Sequence, residues 1–306
     1  MQQLTTYAQT RLSVIIRFHD DRKLPELKRC MFSIYNSSYP DIQVIVACQT
    51  SALDTFKQIE SYAAQIDRQQ GRLLTILNPT VAPGKDSRSL LLNVGMAEAS
   101  GRYIAFLDYD DCIYPDAYTR LIQRLTSSRS AISFGDIALK RAFVHEDITI
   151  VRSKSKGWGA RTLADLLVDN CCPIHSYVFD RALISPPHPT FDEALAKYED
   201  YDFLLKICMQ HRSDFEDSGV LVGDYYIKED GSNTVITSSS YSPEARAEWE
   251  KSKAIVMNRR DNGEVSEVVY GQLQALADAI HKPFHPASLK GHDIIVASKA
   301  LRKLRA

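Results

Sequence analysis

The sequence lacks the features that mark membrane-spanning proteins and proteins that bind nucleic acids. No run approaches the ~20 apolar residues that a membrane span needs, and the chain does not begin with a basic segment followed by a long apolar stretch. The 37 Lys and Arg residues are balanced by 38 Asp and Glu residues, so no excess of positive charge points to nucleic acid. We therefore expect a cytoplasmic protein without a nucleic-acid partner.

Cysteine is scarce, and its spacing does not suggest metal or redox chemistry. The six cysteines form no C-x-x-C pair, and several stand in apolar contexts, so we predict reduced, buried thiols. The chain has 306 residues and is 44% apolar, which is enough for one large α/β domain with an appendage. An α/β protein with one extensive core is the expectation.

Short apolar runs alternate with amphipathic helical patterns through most of the chain. The predicted strands cover residues 12–16, 42–47, 73–77, 103–107 and 131–139. Buried strands that alternate with helices predict a doubly wound, mostly parallel, Rossmann-like sheet. From Ser242 and Pro243, which are typical of a helix start, only helical patterns follow. We predict an α/β domain over 1–240 and a helical C-terminal extension over 241–306.

The last part of this extension is a basic amphipathic segment. Ile294, Leu301 and Leu304 share one face of the predicted helix, and Lys and Arg residues surround them. Such a segment predicts peripheral contact with the inner face of the cell membrane. Two alternatives remain open: the face packs on the domain, or the segment leads into a larger parent protein or complex.

Three acids follow the fourth predicted strand directly, namely Asp108, Asp110 and Asp111. In open α/β sheets, ligands bind at the carboxyl ends of the strands. Neighbouring carboxylates repel unless a cation or a proton joins them, and Mg²⁺ or Mn²⁺ binds through one or two carboxylates plus phosphate oxygens. The pattern predicts a metal-bound diphosphate, and a solvated loop is the alternative.

A second acidic cluster, Glu199, Asp200 and Asp202, stands at the start of a predicted helix. The positive end of the helix dipole explains one acid there but does not require three. A positioned carboxylate can accept the proton of an attacking hydroxyl group. Asp200 is therefore our candidate for a general base.

Three motifs in this order resemble the family 2 glycosyltransferases of the GT-A fold. They are NVGMAEASGRYIAFLDYDD (93–111), FDE (191–193) and EDYDFLL (199–205), and the resemblance extends from about Leu12 to Thr234. It implies an inverting, metal-dependent transfer from a nucleoside-diphosphate sugar to a glycan or lipid-linked acceptor, of the kind used in bacterial surface polysaccharide synthesis.

The resemblance also implies roles for the acidic residues. Asp108 would contact the nucleotide ribose and help to hold Mn²⁺ or Mg²⁺, Asp110 would bind the metal, and Asp111 would be auxiliary. The pair Glu199 and Asp200 would supply the catalytic base.

Other residues are assigned by resemblance or by side-chain chemistry, each with a solvated loop or structural packing as the alternative. Arg88, and less strongly Lys85, would contact the diphosphate. His175 would lie in the acceptor cleft, and Trp158 would stack on an acceptor sugar. A segment that closes over the donor would include Lys228, Asp230 and Asn233.

The chain departs from the family pattern after its first two strands. Gln49 stands where members commonly carry an acid that recognises the base, and a glutamine both donates and accepts hydrogen bonds. His19 or Asp20 would touch the nucleotide. The identity of the bound base is therefore open.

Two other functions remain possible from the sequence. A nucleotidyltransferase acting on a sugar phosphate would carry a glycine-rich loop after its first strand, but residues 17–22 contain no glycine. A catalytically silent binding module of a larger assembly protein would not need to retain every motif acid.

Overall fold

The computed structural model describes residues 8–50, 52–68, 71–81, 86–145, 148–228 and 242–303. The strands are β1 (Ala8–Phe18), β2 (Ile42–Cys48), β3 (Leu73–Leu77), β4 (Gly101–Asp108), β5 (Cys112–Ile113), β6 (Ile132–Phe134), β7 (Asp136–His145), β8 (Ile148–Lys154), β9 (Tyr177–Asp180), β10 (Ser213–Asp214) and β11 (Leu221–Lys228). The helices are α1 (Leu24–Tyr35), α2 (Leu53–Ile66), α3 (Arg88–Glu98), α4 (Ala117–Ser128), α5 (Leu163–Val168), α6 (Glu199–Cys208), α7 (Pro243–Asn262), α8 (Glu267–Ala279) and α9 (Gly291–Lys303).

A central sheet has the strand order β10-β6-β9-β4-β1-β2-β3. Strands β1 to β4 are parallel where they pair, and β9 runs antiparallel between β4 and β6. In this register Ile15 of β1 lies between Ile45 of β2 and Phe106 of β4, and all three are buried. Helices cover both faces, which explains why the strands are apolar without alternation. The predicted doubly wound, mostly parallel α/β fold is confirmed.

The two faces of this sheet have separate apolar layers. Helices α1, α2 and α4 pack on one face, over side chains such as Val14 and Ile16. Helices α3, α5 and α6 pack on the other face, over Ile15 and Phe106. Alternation along β1 therefore divides its side chains between two cores.

A smaller sheet has the order β5-β11-β7-β8, with β7 and β8 forming an antiparallel hairpin. The predicted strand over 131–139 is wrong in its bounds, because the chain changes sheets at Gly135 between β6 and β7. A Cβ atom at Gly135 would come within 2.4 Å of Val222 Cγ1, so this crossing requires glycine.

The C-terminal helices α7, α8 and α9 pack on the same layer as α6. Val256, Leu273 and Ile294, one from each helix, are fully buried there. Arg260 of α7 donates hydrogen bonds to the carbonyl oxygens of Leu167 and Val168 at 3.1 and 2.9 Å. The helical extension thus shares its core with the α/β part.

The basic segment at the end of the extension does not present a free apolar face. Ile294 and Leu301 of α9 are buried in the core, and Leu304 lies outside the described residues. The predicted membrane contact through this face is therefore not supported. None of the described helices is both long enough and apolar enough to span a bilayer.

Candidate functional site

A cavity of about 330 Å³ opens at the carboxyl ends of β1 and β4, beside the start of α6. Its polar lining includes Arg17, Arg88, Asp108, Glu199 and Asp200. This is the position at which open α/β sheets bind ligands. The cavity thus brings together members of both acidic clusters found in the sequence.

Asp108 is held by Arg17, a residue that the sequence analysis did not assign. The pairing of β1 with β4 sets Arg17 opposite Asp108, and the guanidinium bonds the carboxylate in bidentate fashion at 2.6 and 3.1 Å. Burial alone would raise the pKa of the Asp108 carboxyl, but Arg17 outweighs it and lowers this pKa. Asp108 is therefore ionised at neutral pH. The aligned strand ends were the available signal for Arg17.

Glu199 lies between two arginines. Its Oε1 accepts a hydrogen bond from Arg17 Nη1 at 2.9 Å and lies 3.8 Å from Arg88 Nη1. Arg88 is held further by Asp86 at 2.6 Å and by the carbonyl oxygen of Ala196. The side chain of Glu199 is buried, so its geometry suits holding two guanidinium groups at the cavity wall.

Asp200 is partly exposed to the same cavity. One of its carboxylate oxygens accepts hydrogen bonds from the backbone N–H of Tyr201 at 2.7 Å and from the Asn170 amide at 3.4 Å. Burial and then the neighbouring charge of Glu199 raise the pKa of Asp200 to about 6. A carboxylate with this pKa is a competent proton acceptor at neutral pH.

Asp110 and Asp111 lie just beyond the end of β4 in different surroundings. Asp110 is partly exposed and forms an ion pair with Lys228 Nζ at 2.8 Å. Asp111 is buried, accepts a hydrogen bond from the Tyr226 N–H at 3.0 Å, and has its other oxygen 3.5 Å from His175 Nδ1. Burial, and then the charges of Asp110 and Asp108, raise the pKa of Asp111 well above its usual range. Asp111 is thus packed into the structure behind the cavity.

His175 lines the cavity as a neutral ring. Burial lowers its pKa to about 4, so the imidazole is uncharged at neutral pH. The ring stacks on Tyr225, with centroids 6.2 Å apart and planes inclined by 11°. The pair offers a flat, mostly apolar wall.

Two tryptophans also line the cavity. Trp158 lies between Gly157 and Gly159, whose φ angles of 89° and 79° favour glycine. Its backbone N–H donates a hydrogen bond to the Asp136 carboxylate at 3.0 Å. Trp249 comes from α7 in the C-terminal extension, and was not assigned from the sequence. Its ring packs edge-on against Tyr198 at a centroid distance of 4.9 Å.

The residue before the second acidic pair has an unusual backbone. Tyr198 adopts a left-handed conformation with φ of 62°, which is rare for a bulky residue. Such strain persists when the surrounding structure holds it and is concentrated at functional sites. Here it places Glu199 and Asp200 in the first turn of α6, at the cavity.

Gln49 and His19 lie beside the cavity, and neither is among its described lining residues. The side-chain oxygen of Gln49 accepts a hydrogen bond from Ser87 Oγ, and the backbone N–H of Gln49 donates to the Phe18 carbonyl at 2.7 Å. His19 meets the Tyr109 ring edge-on at 5.4 Å, and burial followed by the charge of Arg17 lowers its pKa.

Asp20 forms an exposed ion pair with Arg22. Lys85, Asp230 and Asn233 lie outside the described residues, so their assigned roles stay predictions.

The carboxylates at the end of β4 offer oxygen atoms of the kind that the predicted metal ion needs. Across the described ranges, no three His, Cys, Asp or Glu side chains are arranged to hold a metal. Asp108 and Asp110 are hard oxygen ligands with partly exposed side chains, paired with Arg17 and Lys228. They fit a cation that takes one or two carboxylates and completes its shell with diphosphate oxygens and water.

Residues 13–162 match the family model described as Glycosyl transferase family 2. The curated GalNAc(5)-diNAcBac-PP-undecaprenol beta-1,3-glucosyltransferase of Campylobacter jejuni is 27% identical over 43% of this chain and 39% of that protein. The succinoglycan biosynthesis protein ExoO of Rhizobium meliloti is 28% identical over 54% of this chain and 55% of that protein. The chain thus matches less than half of the length of the first relative and little more than half of the second.

Solved structures share the fold at low sequence identity. S. aureus TarS 1-349 in complex with UDP-GlcNAc has a TM-score of 0.58 and 17% identity, and the match covers 88% of this chain and 71% of that chain. The mannosyltransferase PcManGT from Pyrobaculum calidifontis, in complex with GDP-Man and Mn2+, has a TM-score of 0.55 and 17% identity. This match covers 95% of this chain and 69% of that chain.

The matched region contains the second half of β1, all of β4 and the acids that follow β4. The nucleotidyltransferase alternative finds no support in these matches. The chain carries a family 2 glycosyltransferase domain over residues 13–162, and it has the GT-A fold.

Proposed function

We propose that this enzyme transfers a sugar from a nucleoside-diphosphate sugar to a hydroxyl group of a lipid-linked or polysaccharide acceptor, with inversion at the anomeric carbon. The observation that carries the proposal is the cavity in which Asp200, with a pKa raised to about 6, faces Arg17, Arg88 and Asp108. The names of the two curated relatives support this acceptor class, because one is a glucosyltransferase named for an undecaprenol-linked glycan and the other is a succinoglycan biosynthesis protein.

The proposed reaction is a single displacement. The acceptor oxygen attacks the anomeric carbon, its proton passes to Asp200, and the bond from the anomeric carbon to the diphosphate oxygen breaks. The nucleoside diphosphate leaves with the bonding electron pair. Because one carboxylate acts as base and no protein nucleophile intervenes, the configuration inverts.

Arg17 and Arg88 are suited to stabilise the leaving diphosphate. Both guanidinium groups are held at the cavity wall by acids, so they need little reorganisation when charge develops on the leaving group. Guanidinium groups match phosphate oxygens in bidentate geometry. Arg17 thus adds a cation that the predicted site did not include.

We propose that Asp110 and Asp108 would hold Mn²⁺ or Mg²⁺ together with the donor diphosphate. When bound, the cation would neutralise negative charge on the diphosphate of the donor. Lys228 and Arg17, the present partners of these acids, would remain close enough to share that task.

The acceptor is proposed to bind along the aromatic side of the cavity. Trp158, Trp249 and the stacked pair of His175 and Tyr225 offer flat surfaces of the kind that pack on sugar rings. Asp200 lies on the same lining, so an acceptor hydroxyl there would be within reach of the base.

Thermal shift of the full chain tests the donor site. UDP, GDP, dTDP and CMP, and their sugar derivatives, are added with and without Mn²⁺, because a ligand of the native state raises the melting temperature. We expect one nucleotide to give a rise that Mn²⁺ increases. Asp110→Ala should remove the Mn²⁺ increment, whereas the control Asp116→Ala, at an exposed acid before α4, should keep it.

Either of two results would contradict part of this proposal. If no nucleotide shifts a folded protein, the donor site is wrong and a catalytically silent module becomes the better explanation. If one nucleotide shifts the melting temperature equally with and without Mn²⁺, the donor site stands and the metal assignment fails.

A further inference from the structure

The hairpin formed by β7 and β8 carries an exposed apolar face. Phe143, Ile148 and Ile150 are 41%, 58% and 55% exposed. Phe143 pairs directly with Ile150, and His145 with Ile148, so these side chains share one side of the hairpin. Single exposed apolar residues are ordinary, but a contiguous group marks a contact surface.

The other side of the hairpin contacts the body of the protein at Ala142 and Thr149. Ala142 is fully buried, and Thr149 Oγ1 accepts a hydrogen bond from Arg29 of α1 at 2.5 Å. The apolar face therefore projects away from a side that is already anchored.

Cations border this apolar face. Arg141, Arg152 and Lys154 are exposed, and the Arg152 guanidinium lies 5.5 Å from the centroid of the Phe143 ring. Residues 140–156 contain five Lys or Arg residues and two acids, Glu146 and Asp147. The local charge is positive although the whole chain is close to neutral.

We propose that the β7–β8 hairpin docks the protein on an anionic phospholipid membrane. Apolar side chains of such a surface enter the boundary between headgroups and acyl chains, while the cations meet lipid phosphates. A second copy of the chain is disfavoured as the occupant, because it would bring like charges together.

The base of this hairpin borders the cavity. Leu139, in β7, and Trp158, shortly after β8, both line the cavity. Docking through the hairpin would hold the aromatic, acceptor side of the cavity near the lipid surface. The docking itself needs neither donor nor acceptor, so it is independent of the proposed function.

Co-sedimentation of the full chain with vesicles tests the proposal. Vesicles of equal parts phosphatidylglycerol and phosphatidylcholine are compared with phosphatidylcholine alone, at about 0.1 M and about 1 M salt. We expect binding only to the anionic vesicles and loss of binding at high salt. Ile148→Ser combined with Ile150→Ser should lower the partition coefficient at least about tenfold, because two apolar side chains no longer enter the bilayer.

The matched control is Leu53→Ser combined with Val296→Ser. These residues are 77% and 55% exposed and lie on α2 and α9. The control should bind within about twofold of the wild type. Arg141→Glu combined with Lys154→Glu should also weaken binding and remove most of its salt dependence.

Three outcomes would overturn the proposal. The first is a wild type that does not sediment with anionic vesicles. The second is a wild type that binds neutral vesicles equally well. The third is a double isoleucine variant that binds like the wild type. A further contrary result is a wild-type dimer in size-exclusion chromatography that the isoleucine variant converts to a monomer, with neither protein binding vesicles. That result would assign the face to contact between copies.

Discussion

Two carboxylates face the same cavity, but their proton affinities are shifted in opposite directions. Asp108 is bonded in bidentate fashion by Arg17, which lowers its pKa against the effect of burial. The pKa of Asp200 is raised to about 6 by burial and by the charge of Glu199. The difference shows how cation placement assigns roles: one acid stays ionised for ligand binding, and the other can exchange a proton near neutrality.

Arg17 and Glu199 connect the two carboxylates. Arg17 contacts both Asp108 and Glu199, and Glu199 is the neighbouring charge that raises the pKa of Asp200. Removing the charge of Arg17 should therefore raise the pKa of Asp200, and removing the charge of Glu199 should lower it. Both shifts can be measured in the pH dependence of the reaction.

The largest effect is expected from Asp200→Asn. The amide keeps the shape but cannot accept the proton, so kcat should fall about a thousandfold while the KM for the donor changes little. Steady-state kinetics with saturating acceptor measure this. The control Asp169→Asn, at an exposed acid next to Asn170, should retain wild-type turnover. Rapid turnover in Asp200→Asn would remove this residue from the role of base.

Arg17→Met should have the next largest effect. Loss of a guanidinium from the cavity should lower kcat/KM for the donor about a hundredfold. The pKa of Asp200 should also rise, because the charge of Arg17 lowers it. The acidic limb of the profile of kcat against pH should therefore move to higher pH.

The exposed Arg22 provides a control for Arg17. It is paired with Asp20 outside the cavity, so Arg22→Met should change neither kcat/KM nor the pH profile. Melting temperatures of both variants separate lost function from lost stability, since removing one partner of a buried ion pair also destabilises a fold. An Arg17→Met enzyme with an unshifted limb would mean that Arg17 and Asp200 are not coupled.

The change of wild-type kcat with pH should be smaller than the effects of these two substitutions, but it identifies the group that titrates. Asp200 must be ionised to accept a proton, so kcat should rise with pH through about 6 and be roughly tenfold lower near pH 5 than on the plateau. Glu199→Gln removes the charge that raises this pKa and should move the limb to lower pH. A limb that moves upward in Glu199→Gln would contradict the coupling.

The fold and the acids of the site could be predicted from the sequence because their signals are local. Apolar strands followed by Asp108 and Asp110 place carboxylates at a sheet edge, and the run from Glu199 places more at a helix start. The pairing of Arg17 with Asp108 joins residues 91 apart and depends on strand order and register. No local pattern contains that information.

The hairpin and Trp249 were missed for similar reasons. The strand predicted over 131–139 ended too early, because β7 continues to His145 through alternating, partly exposed residues rather than a buried run. Trp249 stands in a mostly polar helix with no apolar periodicity around it. Its contact with Tyr198 arises only when α7 packs beside α6.

Trp249→Ala should change the kinetics least. It tests the acceptor side of the cavity, whereas the substitutions above test its carboxylates and arginines. If the Trp249 ring packs on an acceptor sugar, its loss should raise the acceptor KM about fivefold, which is the expected value of one aromatic contact. The donor KM and the acidic limb set by Asp200 should stay unchanged, because Trp249 carries no charge.

The control for Trp249 is Phe32→Ala, at a 44% exposed aromatic residue on α1. It should leave both KM values at the wild-type level. A change in donor KM alone in Trp249→Ala would place the tryptophan on the donor side instead. A fivefold rise confined to the acceptor would assign part of the acceptor site to the C-terminal extension, so that the α/β part alone could not account for acceptor recognition.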